Sequence, residues 1–156
     1  MSTYSVSRSV TVAAPSAQVH ALVDDFHAWP RWSPWEGLDD DLERHYSGPD
    51  RGVGAAYSWQ GNRKAGAGSM EITSSTAEAV GVALEFLKPF RSSSAVTFHL
   101  VPSGAGTEVT WQMTGEQTGL MGVFGKVVSM DRLIGKDFEK GLAQLKAAAE
   151  SDVAGG

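Results

Sequence analysis

The fold is decided by residues Leu120–Glu150, which read LMGVFGKVVSMDRLIGKDFEKGLAQLKAAAE. Apolar residues recur there in steps of three and four, the spacing that places side chains on one face of an α-helix. That face comprises Phe124, Val127, Met130, Ile134, Phe138, Leu142, Leu145 and Ala149. The pattern predicts a long amphipathic helix to about Glu150, followed by a disordered tail over residues 151–156.

Upstream of this helix, the chain is a run of short strands separated by turn sequences. Strands are predicted at residues 42–47, 54–59, 66–74, 80–87, 93–101 and 107–115, most of them with alternating apolar and polar residues. The turns include GPD at 48–50, GN at 61–62 and SGAG at 103–106. Connections this short favour an antiparallel meander, because parallel strands need long crossovers.

The N-terminal residues predict one more strand and two short helices. Residues 4–12 alternate between valines with Arg8 on one side and serine or threonine on the other. Ser16, after Pro15, can cap a helix to about Val23. A second helical piece over Phe26–Trp29 is expected to end near Pro30.

These elements predict one α+β domain over residues 1–150. A seven-stranded antiparallel sheet of this kind twists and curves, and one long helix is the natural cover for its concave face. The side chains predicted to point toward that helix are Tyr57, Trp59, Met70, Ile72, Val82, Leu84, Phe86, Val96, Phe98, Val109, Trp111 and Met113. Arg8, which shares a face with valines, is expected to reach an acidic group such as Glu150 near the helix end.

Composition excludes several classes of function. The sequence has no cysteine, so disulfides and thiolate chemistry are absent. Its net charge of −5 is scattered, whereas a nucleic-acid-binding surface needs clustered basic residues. Neither a signal peptide nor a membrane span is evident, so a cytoplasmic protein without membrane insertion is expected.

No cofactor or metal is expected from the motifs. The four histidines, at positions 20, 27, 45 and 99, are too far apart for a local metal motif, and HxH and HExxH are absent. They are interpreted as solvated or structural side chains.

Five stretches of the sequence resemble one known family. They are WPRWSPWE at 29–36, GVGA at 52–55, YSWQGN at 57–62, LEFLKPF at 84–90 and IGKDFEKGL at 134–142. Together they resemble the polyketide cyclase/dehydrase-like group of the START/Bet v 1-like (SRPBCC) superfamily. The resemblance implies a helix-grip fold with an apolar cavity between the sheet and the C-terminal helix. It does not assign an activity, because this superfamily includes cyclases, lipid carriers, receptors and chaperone activators.

A cavity of this kind predicts that the chain, as a monomer or homodimer, binds a small hydrophobic molecule such as a lipid or an aromatic polyketide. Two alternatives stay open: a polyketide cyclase or dehydratase that uses the same cavity, and a protein-interaction module with an apolar patch around Trp32–Trp35. For the enzyme, Asp131 is the candidate general base, although a salt bridge at the helix edge is the more ordinary role of such a carboxylate. The predicted ligand contacts are Trp32, Trp35, Tyr57, Trp59, Met70, Leu84, Phe86, Phe98, Trp111, Met113, Phe124, Val127 and Ile134.

Overall fold

A computed structural model describes residues 2–33, 42–62, 66–88, 92–104, 106–117 and 130–155. In these ranges, the chain forms seven strands, two α-helices and a 3₁₀ turn. The strands are β1 (Ser2–Val12), β2 (Glu43–Ser47), β3 (Ala56–Gln60), β4 (Ala67–Ser75), β5 (Ala79–Lys88), β6 (Ser92–Ser103) and β7 (Gly106–Gln117). The helices are α1 (Ser16–Val23) and α2 (Met130–Gly155), and the 3₁₀ turn is Trp29–Arg31.

All seven strands belong to one antiparallel sheet with the order β1-β7-β6-β5-β4-β3-β2. Each strand from β2 to β6 pairs with the next one along the chain, and β1 pairs with β7. The predicted α+β fold and its meander are therefore confirmed, and every predicted strand bound lies within two residues of the observed one.

Alternation along the strands separates a core face from a solvent face. On β1, Val6 and Val12 are buried, whereas Ser5 and Ser7 are exposed. The predicted inward side chains of the other strands all belong to the core cluster or pack against it. Because side chains alternate between the faces of a sheet, burial of one apolar row fixes the register of the whole meander.

Helix α2 packs mainly against β1 and also contacts α1, β7 and the 3₁₀ turn. Its buried side chains are Phe138, Leu142, Leu145 and Ala149, which continue the predicted spacing of four, three and four. Burial of each large apolar side chain stabilises the docked helix by roughly 1.5–3 kcal/mol. The predicted start of the helix at Leu120 lies outside the described residues, which begin again at Met130.

Arg8 contacts α2 at a different place from the one predicted. Its Nε donates to Oε2 of Glu139 at 2.9 Å, not to Glu150. Arg8 lies in the middle of β1, level with the first half of α2, whereas Glu150 lies near the end of β1 and accepts from the backbone N–H of Ala13 at 2.8 Å. Gly135 leaves room for the guanidinium, because a Cβ there would collide with Arg8.

Two local predictions near the short helices were wrong. Pro15 occupies the N-cap position of α1, and no side chain caps that helix, so Ser16 is its first residue. Pro30 does not end the second helical piece; it lies at the start of the 3₁₀ turn Trp29–Arg31. Proline is tolerated in a first helical turn because the missing N–H would have no partner within the helix there.

The C-terminal residues are helical through Gly155, where the sequence led us to expect a disordered tail from residue 151. The guanidinium of Arg31 binds the carboxylate of Asp152 with two hydrogen bonds of 2.7 and 3.0 Å. A bidentate pair of this kind fixes both groups in one geometry and holds the end of α2 against the 3₁₀ turn.

Acid should weaken this end of the helix. The hydrogen bond from Arg31 lowers the pKa of Asp152, and hydrogen bonds from Lys146 and the Ala13 N–H lower the pKa of Glu150. A depressed carboxyl pKa stabilises the folded state above the unfolded pKa, and that stability is lost as the pH falls through the folded pKa. We expect the Tm difference between wild type and Asp152→Asn/Glu150→Gln to shrink from about pH 7 to about pH 3, measured by circular dichroism. An equal difference at both pH values would contradict this assignment.

Candidate ligand-binding site

The aromatic side chains on the concave face fall into two groups. The first group fills the space between β6, β7, α2 and the 3₁₀ turn. Trp111 stacks on Phe138 with centroids 4.1 Å apart and on Phe98 with centroids 5.0 Å apart. Trp32 contacts Phe98 and Trp111 edge-on at 5.8 and 5.5 Å. We call Trp32, Phe98, Trp111 and Phe138 the packed aromatic cluster.

The sequence predicts ligand contacts at Trp32, Phe98 and Trp111, but the structure places all three in this cluster. Trp32 and Phe98 are 0% exposed and Trp111 is 1% exposed. Trp32 Nε1 also donates to the carbonyl of Leu22 at 2.8 Å, at the C-terminal end of α1. These rings therefore serve as core, because they pack on one another instead of facing open space.

The second group is a half-buried row of rings that crosses strands β2, β3 and β5. Tyr46 lies 5.2 Å from Tyr57, Tyr57 lies 6.0 Å from Trp59, and Trp59 meets Phe86 edge-on at 5.7 Å. The inner three rings pack against the core on one side and are partly accessible on the other. We call Tyr46, Tyr57, Trp59 and Phe86 the aromatic row.

A glycine in β4 makes the row continuous. Gly68 pairs with Trp59 of β3 on one side and with Phe86 of β5 on the other. A Cβ at position 68 would lie 2.7 Å from Cη2 of Trp59, so only glycine leaves space for the indole above the strand. The two rings can therefore meet across the strand that separates them.

The row differs from the packed aromatic cluster because the described part of α2 packs mainly elsewhere. The helix contacts β1 most extensively, at the opposite edge of the sheet from β2 and β3. Apolar ring surface on β3 and β5 is thus left half-exposed on a concave face. Surface of this kind favours contact with an apolar ligand, because the contact removes it from water.

A small cleft of about 220 Å³ lies at the Tyr46 end of the row. His27 stacks on Tyr46 with centroids 4.1 Å apart, and its Nδ1 lies 3.0 Å from Oδ1 of Asp25. The cleft is lined by Phe26, His27, Tyr46, Ser47, Gly48, Pro49, Asp50, Ala55 and Ala56. Sequence reasoning missed Tyr46 and His27, because only the pairing of Tyr46 with Tyr57 reveals that they extend the row.

A wider groove of about 320 Å³ involves the opposite face of the sheet. Most of its lining residues alternate with the inward positions, and they include Ser58, Glu71 and Glu85. The groove mixes polar and apolar residues and contains one ring of the aromatic row, Tyr57, so we do not assign it to the candidate site.

The remaining predicted ligand contacts do not form one group in the structure. Met70 is half-buried beside Tyr57, with which it pairs, whereas Leu84 and Met113 are buried in the core. Trp35, Phe124 and Val127 lie outside the described residues. For Asp131 and Ile134, the structure describes the backbone alone, in the first turns of α2.

Among the described residues, no group of three or more histidine, aspartate or glutamate side chains is arranged to hold a metal ion. In the same part of the chain, neither helix combines the length and the apolar character that crossing a bilayer requires.

A curved antiparallel sheet gripping a long C-terminal helix defines the helix-grip fold of START/Bet v 1-like proteins. The chain belongs to the family described as polyketide cyclase / dehydrase and lipid transport, whose family model matches residues 3–150. The predicted family is thus confirmed. A search of curated proteins found no match.

Solved structures agree on the fold. The solution structure of KanY protein has a TM-score of 0.70 and 18% identity, and the match covers 96% of this chain and 99% of that one. Major latex-like protein 151 from Panax ginseng has a TM-score of 0.66 and 16% identity, covering 94% and 97%. DynU16, a protein in the dynemicin biosynthetic locus, has a TM-score of 0.65 and 17% identity, covering 95% of this chain and 48% of that one.

Proposed function

We propose that this protein binds a small hydrophobic ligand, such as a lipid or an aromatic polyketide, against the aromatic row. One observation carries the proposal: rings on the same concave face are fully buried at one end of the sheet and half-exposed at the other. A ligand that removed roughly 100 Å² of this apolar surface from water would gain about 2.5 kcal/mol. The family description, which includes lipid transport, is consistent with this proposal.

Replacing Trp59 with leucine should weaken binding at the row. The indole is central, since it contacts both Tyr57 and Phe86. With 1-anilinonaphthalene-8-sulfonate as the probe, we expect the Kd from fluorescence titration to rise at least ~10-fold, a loss of about 1.4 kcal/mol.

Ser58→Ala is the matched control for this experiment, because Ser58 is the neighbour on β3 that points away from the row. Its Kd should equal that of the wild type. The proposal fails if the wild-type protein does not bind the probe, or if Trp59→Leu binds as tightly as Ser58→Ala. If Trp59→Leu weakens binding and Ser58→Ala does not, native mass spectrometry of protein purified from its host would identify the natural ligand.

A cyclase or dehydratase that uses the same site is the second candidate, because the family description also includes these activities. Positioning in a shaped cavity lowers the barrier of an intramolecular condensation, and one acid or base assists the proton transfer. Asp131 is proposed for that role, and Asp131→Asn should then reduce turnover of an identified substrate without loss of its binding. Unchanged turnover would remove Asp131 from the mechanism.

The third alternative, a protein-interaction module, is not favoured. That function needs an exposed apolar patch around Trp32–Trp35, but Trp32 is completely buried. The large apolar side chains that are exposed in the described residues include Val53, Leu87 and Val101, which lie on three different segments. Isolated residues of this kind are ordinary on a protein surface.

A further inference from the structure

A serine, a histidine and an aspartate line up where α1 meets the end of β4, away from the aromatic row. Nε2 of His20 lies 3.0 Å from Oγ of Ser75, and Nδ1 of the same ring lies 3.4 Å from Oδ2 of Asp24. His20 and Asp24 are four residues apart at the end of α1, so they share one side of the helix. The order hydroxyl, imidazole and carboxylate is the one that activates serine in acyl-transfer enzymes.

Asp24 is buried at the C-terminal end of α1, with one charged side chain beside its carboxylate. Its side chain is only 8% exposed, and Nη2 of Arg51 lies 3.4 Å from Oδ1, the oxygen that does not face His20. The same Nη2 donates to the carbonyl of Ala21 at 3.2 Å, and the N–H of Gly52 donates to the carbonyl of Asp24 at 2.9 Å. These hydrogen bonds fix the backbone around Asp24. Oδ1 is buried without a hydrogen bond, and the carboxylate lies within ion-pair distance of both His20 and Arg51, which places it to orient a general base.

The other end of this arrangement is partly exposed to solvent. The side chain of His20 is 24% exposed, and Ser75 is half-buried at the last position of β4. A small molecule can thus approach the hydroxyl, whereas the carboxylate behind the ring stays covered. This gradient of exposure suits a nucleophile that reacts with a substrate from solution.

We propose that Ser75 is an activated nucleophile that accepts acyl groups from small esters. In the tautomer that carries its proton on Nδ1, beside Asp24, His20 has a free Nε2 that accepts the proton on Oγ of Ser75. Oγ then forms a bond to the ester carbonyl carbon, the bond from that carbon to the alkoxy oxygen breaks, and Nε2 returns the proton to the leaving alcohol. A water molecule releases the acid by the same sequence in reverse. Ser75 and His20 are the catalytic residues, and Asp24 is a positioning residue.

The proposed reactivity of Ser75 does not depend on ligand binding at the aromatic row. Another serine of the same protein, Ser9, serves as a comparison. Oγ of Ser9 lies 2.8 Å from Oγ1 of Thr110, so this serine also has a hydrogen-bonding partner. That partner is a hydroxyl, which is far too weakly basic to take a proton from serine. Ser9 should therefore stay unmodified under conditions that label Ser75.

The test uses p-nitrophenyl acetate and a fluorophosphonate as probes, with release of nitrophenolate and peptide mass spectrometry as readouts. We expect both probes to modify Ser75 in the wild-type protein, and neither Ser9 nor the adjacent Ser74. His20→Gln should slow acylation of Ser75 by roughly 10²-fold, the usual contribution of a general base. Asp24→Asn should lower the maximal acylation rate more than about tenfold and leave the half-saturating ester concentration unchanged, as expected for a residue that only positions the base.

Ser74→Ala is the matched control and should react like the wild type. Modification of Ser75 that is lost in His20→Gln but kept in Ser74→Ala supports the proposal. An unmodified Ser75 in the wild-type peptide map overturns it, and this result does not depend on whether any variant folds. Equal labelling of Ser75, Ser74 and Ser9 overturns it as well, since His20 and Asp24 would then only tie α1 to β4.

Discussion

Trp111→Ala should lower the free energy of unfolding by about 3–5 kcal/mol, as large-to-small substitutions of buried tryptophan do. Its indole lies between Phe138 of α2 and Phe98 of β6, with Trp32 against its edge. Removal of the ring would leave a cavity where the helix, the sheet and the 3₁₀ turn meet. The neighbouring rings belong to separate elements and cannot collapse into the gap without displacing the helix.

Urea denaturation measures this loss, with Trp59→Ala as the control. Trp59 is an indole on the same concave face, but it is half-buried in the aromatic row. Its replacement should cost clearly less, because part of its surface is already in contact with water in the folded state. Comparable losses for Trp59→Ala and Trp111→Ala would show that the two groups of rings are packed alike, which would also weaken the proposed site.

The fold could be predicted from the sequence because its determinants are local and repeated. Alternation of apolar residues with period two fixes which face of each strand is buried, and short turns fix the order of the strands. The spacing of Phe138, Leu142 and Leu145 fixes the face of α2. Each of these signals lies within one element or one short turn, and all of them agree on one architecture.

The candidate site could be predicted only in part, because it depends on how separate elements pack. Alternation places both Trp59 and Trp111 on the concave face, but it does not show that α2 covers Trp111 and leaves Trp59 half-exposed. The partners in contacts between distant residues could not be predicted either, although a contact of Arg8 with an acidic residue of the helix was expected. Arg8 and Glu139 are 131 positions apart, and His20 and Ser75 are 55 apart. No periodicity relates residues at such separations; only the docking of one element on another brings them together.

Gly68→Ala should both destabilise the sheet and disrupt the aromatic row. The new Cβ would lie 2.7 and 2.9 Å from two carbons of the Trp59 indole, and it would also collide with the backbone carbonyl of Glu85. Crowding of this kind typically costs about 1–3 kcal/mol, because side chains and backbone must shift. Urea denaturation should show that loss, and the Kd for 1-anilinonaphthalene-8-sulfonate should rise at least ~10-fold as Trp59 is displaced.

Two variants separate the causes of this effect. Gly52→Ala introduces a methyl group with no atom within 4 Å, at a φ of +77°, so it tests backbone strain without crowding. It should leave probe binding unchanged. The double variant Gly68→Ala/Trp59→Leu removes the clash with the indole but keeps the clash with Glu85. Its two substitutions should therefore cost less together than the sum of the single losses. Strict additivity, or a Gly68→Ala protein with wild-type stability and probe affinity, would show that the meeting of Trp59 and Phe86 does not require a glycine between them.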